Sequence, residues 1–194
     1  MAKKQQKTMY TPFGKGAWIK VHEADYLYKT VEGEFAVDLY LPESDAKPII
    51  EMYDKIVVDT IAEEGGKASQ DVQYILVQDI PSKDIDKLVK TDFTPDPTWY
   101  RFKFRNKEKV QPKKGSDFTN KITVLDGNNQ PIDPEDKIGN GSTLRVAYIP
   151  FGWAVSGKVG CKLRLVAVQV SDHVHYSSGA VAFDKVGSEE DIPF

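Results

Sequence analysis

The feature that most constrains the fold is the strict alternation from Thr98 to Arg105. Tyr100, Phe102 and Phe104 fall on one face, and the other face carries a ring and three cations: Trp99, Arg101, Lys103 and Arg105. Alternation at period two is typical of a half-buried β-strand, in which successive side chains point to opposite faces. Three adjacent cations on one face repel one another, so a purely structural role does not require them. The stretch therefore predicts a sheet with a basic outer surface.

Further alternating segments predict a mainly β protein with one principal helix. Strands are expected at 16–22, 34–41, 121–125, 143–151 and 158–170. After the second strand, apolar residues from Pro48 to Ile61 recur at helical spacing, and Gly65-Gly66 ends that helix. A weaker helix is expected at 82–90, within an insertion or long loop at 65–97. Residues 1–176 are thus predicted to form one domain, a small barrel of five to seven strands.

Charge is segregated along the chain, although the formal net charge is only −3. Residues 1–22 carry five lysines and no acid, and 138–171 carry four Lys or Arg and no acid. The stretch 98–125 is also basic, whereas 23–95 carries 17 acids against 7 lysines. Basic stretches of this kind most often meet a phosphate backbone. We expect the acidic middle of the chain to face away from it.

Aromatic rings are interleaved with these cations. In strand 16–22 we expect Ala17 and Val21 to face the core, and Trp18 and Lys20 to face outwards. The Pro150–Trp153 motif is expected to bend the chain and expose a ring. Bases stack on such rings with a gain of about 1 to 3 kcal/mol each. The predicted DNA-binding residues are Trp18, Lys20, Trp99, Arg101, Lys103, Arg105, Arg145, Phe151, Trp153, Lys158, Lys162 and Arg164.

The last residues form an acidic tail with an apolar tip. We expect 177–194 to be a flexible tail, with 187–194 disordered in isolation. Such a tail can insert its apolar tip into a partner's pocket while basic residues clamp the acids, or fold onto the protein's own basic groove and compete with DNA. The residues predicted to bind a partner are Glu189, Glu190, Asp191, Ile192, Pro193 and Phe194.

The sequence predicts no catalytic, metal or cofactor site. His173 and His175 could chelate a metal from one face of a strand, but no third ligand stands at matching spacing. The single cysteine, Cys161, alternates with inward apolar residues, so we expect it in the core rather than as a nucleophile. One cysteine allows no internal disulfide, and no signal-peptide or membrane-span pattern is present. We expect a non-enzymatic cytoplasmic protein without a membrane partner.

Two resemblances follow from these motifs. The ending Asp191-Ile192-Pro193-Phe194 resembles the tip of bacterial single-stranded-DNA-binding proteins, which recruits replication and repair partners. The order and spacing of motifs in the rest of the chain resemble the single-stranded-DNA-binding proteins of short-tailed phages. The matching stretches are 1–4, 35–41, 102–104, 122–126, 139–142, 144–148, 150–153 and 159–168.

The phage resemblance implies an OB-fold that binds and protects single-stranded DNA in the cytoplasm of an infected bacterial host, during DNA replication and recombination. It also implies tail contacts with replication proteins such as DNA polymerase, helicase or primase, and the family often dimerises. The tail is shorter than the family's and ends differently, so a homodimer through the tail stays open, and 65–97 has no match. Two other interpretations stay open: a protein-interaction or virion-associated β-barrel without DNA binding, and an RNA-binding OB-fold.

Overall fold

A computed structural model describes residues 7–27, 29–79, 98–112 and 115–175. The predicted tail residues and the helix expected at 82–90 lie outside these residues. The strands and the helix are, in chain order, β1 (Met9–Tyr10), β2 (Gly14–Asp25), β3 (Glu34–Pro42), α1 (Glu43–Glu64), β4 (Lys67–Ala68), β5 (Tyr74–Leu76), β6 (Trp99–Lys107), β7 (Lys109–Val110), β8 (Phe118–Thr119), β9 (Thr123–Asp126), β10 (Thr143–Val155) and β11 (Lys158–Asp172). A short 3-10 turn, Val77–Asp79, follows β5.

Five of these strands close into a barrel. β3 pairs antiparallel with β2 on one side and with β6 on the other. β6 then meets β11 in parallel, β11 forms an antiparallel hairpin with β10, and β10 returns antiparallel to β2. The closed order β2-β3-β6-β11-β10-β2 is that of the five-stranded Greek-key barrel called the OB-fold. The predicted fold class is therefore confirmed.

The inward-facing side chains of the alternating strands fill the barrel. Phe102 and Phe104 are fully buried, as the alternation of β6 predicts, and the ring of Phe104 lies 5.1 Å from that of Tyr148. Cys161 is buried in the same core. Burial raises the pKa of Tyr148 and of Cys161 to about 12, because neither charged form is solvated there. Cys161 is a core residue, as predicted.

The helix α1 packs across β10 and β11 and begins five residues before the apolar pattern that predicts it. Its buried residues, Ala46, Ile49 and Tyr53, recur at intervals of three and four, which places them on one face. The predicted end is confirmed, since Gly65 adopts φ +71° and its N–H donates to the Ile61 carbonyl at 2.8 Å. Within the described residues, the helices lack the length and apolarity needed to cross a lipid bilayer.

A β-bulge in β2 changes the predicted orientation of its first half. Ala17 lies opposite Asp38 and Lys20 opposite Ala36, so β2 has one residue more than β3 between these pairs. Ala17 consequently points to the outer face of the barrel, where it is fully buried, and the prediction that it faces the core is wrong. Val21 faces the core as predicted. Period-two reasoning cannot detect the extra residue, because the bulge is set by the partner strand.

The described part of the 65–97 insertion folds back onto the barrel. β4 runs parallel to the start of β11, and β5 adds antiparallel to β6. The turn that follows β5 places Val77 against Ala17 and Tyr40, with Trp99 packed beside them. This small apolar cluster lies on the outer surface of β2, β3 and β6. One end of the barrel's outer face is thus covered.

The hairpin of β10 and β11 is longer than its sequence predicts. The Pro150–Trp153 motif continues β10 instead of bending the chain, with Phe151 paired to Lys162 and Trp153 to Gly160. The reversal comes later, at Ser156 and Gly157, whose φ values of +51° and +75° are those of a two-residue hairpin turn. The predicted bend at Pro150–Trp153 is therefore wrong, and the rings stand on an extended strand.

Candidate nucleic-acid interface

One row of residues crosses four barrel strands on the outer face. Lys20 of β2 lies opposite Ala36 of β3, Ala36 opposite Arg105 of β6, and Arg105 beside Arg164 of β11. Neighbouring strands are about 4.8 Å apart, so Lys20 and Arg164 stand about 14 Å apart along this row. The row brings together cations from three strands that are distant in sequence.

The aromatic side chains of the hairpin extend this row. The Arg164 guanidinium lies 5.9 Å from the centre of the Phe151 ring, and Phe151 pairs with the exposed Lys162. We call the set Lys20, Arg105, Phe151, Trp153, Lys162 and Arg164 the outer strip. The outer strip places half-buried rings beside cations. Proteins that bind single-stranded nucleic acid use this combination, because bases stack on the rings and the cations contact the phosphate backbone.

Two glycines fix the direction of these rings. A side chain at Gly152 would collide with Thr60 of α1, so this side of β10 faces the helix. Phe151 and Trp153, one residue to either side, therefore point to the opposite, outer face. A Cβ at Gly160 would lie 2.6 Å from the indole of Trp153, so the indole lies flat over the paired strand. Trp153 is half-buried, with one face of its ring packed on the strand.

A buried carboxylate lies among the arginines of β6. Asp38 Oδ1 is 2.5 Å from Arg105 Nη2, and Asp38 Oδ2 is 3.8 Å from Arg101 Nε. The side chain of Asp38 is only 3% exposed. Asp38 belongs to the acidic middle of the chain, which the sequence places away from the basic face, so that expectation is wrong here. The carboxylate reduces the net charge of the row and holds the Arg105 guanidinium in place.

Trp99 and Arg101 lie under the cover formed by β5 and its turn. Trp99 is half-buried against the Ala17, Tyr40 and Val77 cluster, and Arg101 pairs across to Ile75. Burial raises the pKa of the Tyr40 phenol in the same cluster. Lys103 lies at the margin of this cover, in a cleft it shares with residues 70–75. The structure thus separates the predicted residues of β6: Arg105 joins the outer strip, whereas Trp99 and Arg101 do not.

Trp18 is held in a strained conformation beside the strip. Its φ of +48° is unusual for a residue with a bulky side chain, and the residue is 52% exposed. The backbone N–H of Trp18 donates to Asn140 Oδ1 at 3.0 Å, which supports this conformation from the 138–142 turn. Trp18, Lys20 and Arg105 line a groove of about 270 Å³ whose floor includes Ala36. Backbone strain of this kind is common at binding sites.

Arg145 lies outside the outer strip. It pairs with Gln169, five residues beyond Arg164 on β11, and its Nε donates to Gln169 Oε1 at 2.7 Å. Its guanidinium lies 5.1 Å from the centre of the Phe13 ring. Lys158, by contrast, stands exposed at the turn of the hairpin, on the outer side of β11. Of the twelve predicted residues, Arg145 is thus separated from the strip by most of a strand.

The structure adds residues that the sequence analysis did not single out. Lys29 lines the groove beside Lys20, and Lys107 continues β6 beyond Arg105, with its Nζ 2.7 Å from Glu32 Oε1. The Lys107 hydrogen bond and charge lower the pKa of the exposed Glu32 carboxyl. Lys107 falls within the basic stretch 98–125, so its charge could have identified it as a candidate binding residue from the sequence. Lys29 stands in an acidic stretch, and only folding brings it to the groove.

Comparisons with known proteins identify the fold. No protein-family model and no curated protein sequence matches the chain. The crystal structure of gp2.5, a single-stranded DNA binding protein encoded by bacteriophage T7, is similar with a TM-score of 0.60 and 18% identity, over 97% of this chain and 99% of that one. The single-stranded DNA-binding protein from bacteriophage Enc34, in complex with single-stranded DNA, is similar with a TM-score of 0.56 and 14% identity, over 90% and 95%. The chain therefore has the fold of phage single-stranded-DNA-binding proteins.

Proposed function

We propose that this protein is a phage single-stranded-DNA-binding protein that binds without sequence preference during DNA replication and recombination. The observation that carries the proposal is the outer strip, where Lys20, Arg105 and Arg164 form one row beside Phe151 and Trp153. Both structural neighbours described above are named as phage proteins that bind single-stranded DNA. The protein acts as a binder rather than an enzyme in this proposal.

The cations and the rings of the outer strip bind different parts of the DNA in this proposal. Phosphates meet Lys20, Lys162 and Lys158, which are exposed, and the Arg105 and Arg164 guanidinium groups. Bases stack on the half-buried rings of Phe151 and Trp153 and on the exposed Trp18. Stacking requires unpaired bases, because a duplex keeps its ring faces inside the base stack, and it tolerates any base. This accounts for a preference for single strands without sequence reading.

Asp38 gives Arg105 a fixed position before DNA arrives. Arg105 Nη1 donates to the carbonyl oxygens of Val37 and Phe104 at 3.0 and 2.9 Å. Arg105 Nη2 donates to Asp38 Oδ1, so among these terminal donors one Nη2 N–H is left for a phosphate. An arginine already held in place loses less conformational entropy on binding than a free side chain does. The partly compensated charge also makes Arg105 less repulsive toward Arg164.

The tail completes the proposal, although it lies outside the described residues. Glu189 to Phe194 would recruit replication proteins such as DNA polymerase, helicase or primase, and would compete with DNA for the protein's own cations. A homodimer and a location in the cytoplasm of the infected bacterium belong to the same proposal. Their support comes from the sequence resemblance to the phage and bacterial proteins.

The test is a titration of tryptophan fluorescence with oligo-dT, with duplex DNA as competitor, for the full chain and for a chain ending at Gly187. We expect quenching by the single strand, weak competition by duplex, and tighter binding by the shortened chain because a competing anion is gone. Affinity should fall steeply with salt, since phosphate contacts release counterions.

The same titration separates the alternatives. No quenching with either chain would remove the DNA-binding proposal and favour a protein-interaction barrel. Stronger binding of oligo-U than of oligo-dT would assign the strip to RNA, because stacking and phosphate contacts serve both polymers. Equal affinity of the two chains would leave DNA binding in place and remove the competing role of the tail.

A further inference from the structure

Three metal-ligand side chains converge at the end of β11. His175 Nδ1 lies 2.8 Å from Asp136 Oδ1, and His173 Nδ1 lies 3.5 Å from Asp136 Oδ2. One ligand atom from each of the three residues falls within 4.8 Å of the others. The two imidazole rings are stacked, with their centres 4.4 Å apart. Asp136 is the third ligand that sequence spacing does not reveal, because it comes from a loop 37 residues before His173.

Backbone hydrogen bonds hold the three residues in place. His173 and His175 are two residues apart in extended chain, so they share one face. The intervening Val174 accepts from Gly139 N–H at 2.6 Å, and Val174 N–H donates to Ser142 Oγ at 2.9 Å. A Cβ at Gly139 would lie 2.8 Å from the Val174 carbonyl oxygen, so only glycine allows this close approach. The histidine segment is therefore fastened to the loop that carries Asp136.

We propose that Asp136, His173 and His175 bind a divalent transition metal of the Zn²⁺ class. Two imidazoles and one carboxylate are a ligand set suited to zinc, with a fourth position left for water. Metal–nitrogen bonds of about 2.0 Å in a tetrahedron put ligand atoms about 3.3 Å apart. The separations of 2.8 and 3.5 Å involve the two different oxygens of Asp136, and one ligand atom from each residue lies within 4.8 Å of the others, so the side chains must close in on the ion by up to about 1.5 Å.

The surroundings of the histidines fit this assignment. His173 Nε2 lies 3.4 Å from the Lys137 carbonyl oxygen. Metal-bound imidazoles usually donate their second ring N–H to such an acceptor, which fixes the tautomer and leaves Nδ1 for the metal. The His175 side chain is 74% exposed and that of Asp136 is 43% exposed, so an ion can enter without unfolding the loop. Binding would clamp the 133–140 loop to the last described residues of the chain.

The test uses the full chain without a histidine tag, stripped with EDTA and dialysed. Calorimetric titration with Zn²⁺ should give one equivalent per chain, and Co²⁺ should give a visible d–d absorption band. His175→Gln and Asp136→Asn should each lower affinity by at least tenfold, because each removes a ligand. Because the His175 side chain is exposed, its replacement should leave folding unchanged, and circular dichroism of each variant checks this.

Glu135→Gln is the matched control. It removes one carboxylate charge from the same loop, next to Asp136, but Glu135 is exposed and outside the described cluster. Its affinity for Zn²⁺ should stay within about twofold of the unaltered chain. Two results would overturn the proposal: no saturable binding by the unaltered chain, or an equal loss in Glu135→Gln and Asp136→Asn, which would indicate general attraction to an acidic loop. DNA binding plays no part in this test, so its outcome is independent of the proposed function.

Discussion

The two ends of β6 carry the same alternation of rings and cations, yet their surroundings differ. At the start of the strand, Trp99 packs under Val77, and the side chain of Arg101 is 15% exposed. Towards its end, Arg105 is 27% exposed and lies beside Arg164 of β11 in the outer strip. The covered end contains a second apolar cluster, whereas the open end faces a groove. The β-strand β6 thus has one half that stabilises the fold and another half that is available for binding.

The difference shows that outward direction and accessibility are separate properties. Every second residue of β6 points away from the barrel interior, but the segment 74–79 lies over the first of them. An aromatic under such a cover stabilises the fold, because its apolar area is removed from water. An aromatic without a cover keeps a ring face for a ligand. Three predictions test this division, beginning with the one that should change the molecule most.

The largest expected effect is the loss of stability in Trp99→Ala. Removing a ring that packs on Ala17, Tyr40 and Val77 leaves a cavity, and such truncations cost about 3 kcal/mol. Urea unfolding followed by circular dichroism measures the loss. Trp18→Ala is the control, since its ring is 52% exposed and its stability should change by about 0.5 kcal/mol or less. An unchanged stability together with lost DNA binding would show that Trp99 is an open stacking surface.

The second effect is on DNA affinity, in Phe151→Ala and Trp153→Ala. Each removes a stacking ring from the outer strip, so binding of oligo-dT should weaken by roughly 1 to 3 kcal/mol, or about 5- to 150-fold. Fluorescence anisotropy of labelled oligo-dT measures it. Phe13→Ala, whose ring contacts Arg145 away from the strip, should bind as the unaltered chain does. If Phe13→Ala lost as much affinity, the interface would run over the Arg145 side of the barrel instead.

The smallest effect is a change in salt dependence when Lys20 and Lys162 are both replaced by Gln. If each contacts a phosphate, the slope of log affinity against log salt should fall by about 0.7 per lysine. Both lysines are exposed, so folding should be unaffected. Arg105 is not replaced, because its loss would leave the buried Asp38 carboxylate without its ion-pair partner. Lys55→Gln on α1, where Lys55 pairs with Asp59, should leave the slope unchanged. Identical slopes for all three proteins would show that the phosphates contact residues other than Lys20 and Lys162.

Sequence reasoning succeeded where the signal is local. The alternation of β6, the end of α1 at Gly65 and the core position of Cys161 are each encoded within a few residues. It failed where a distant segment intervenes. The bulge that turns Ala17 outwards depends on the register with β3, and the continued strand at Pro150–Trp153 depends on pairing with β11. A local pattern carries no information about either partner.

The barrel strands, the principal helix and the supply of cations and rings at outward positions could be inferred from local sequence patterns. Period and charge are properties of neighbouring residues, so they can be read without a structure. Which outward residues share a surface depends on the tertiary structure. It joined Lys20, Arg105 and Arg164 in one row and placed Asp38 between two arginines. It also brought Asp136 to His173 and His175, because strand register and loop closure set distances that sequence separation does not contain.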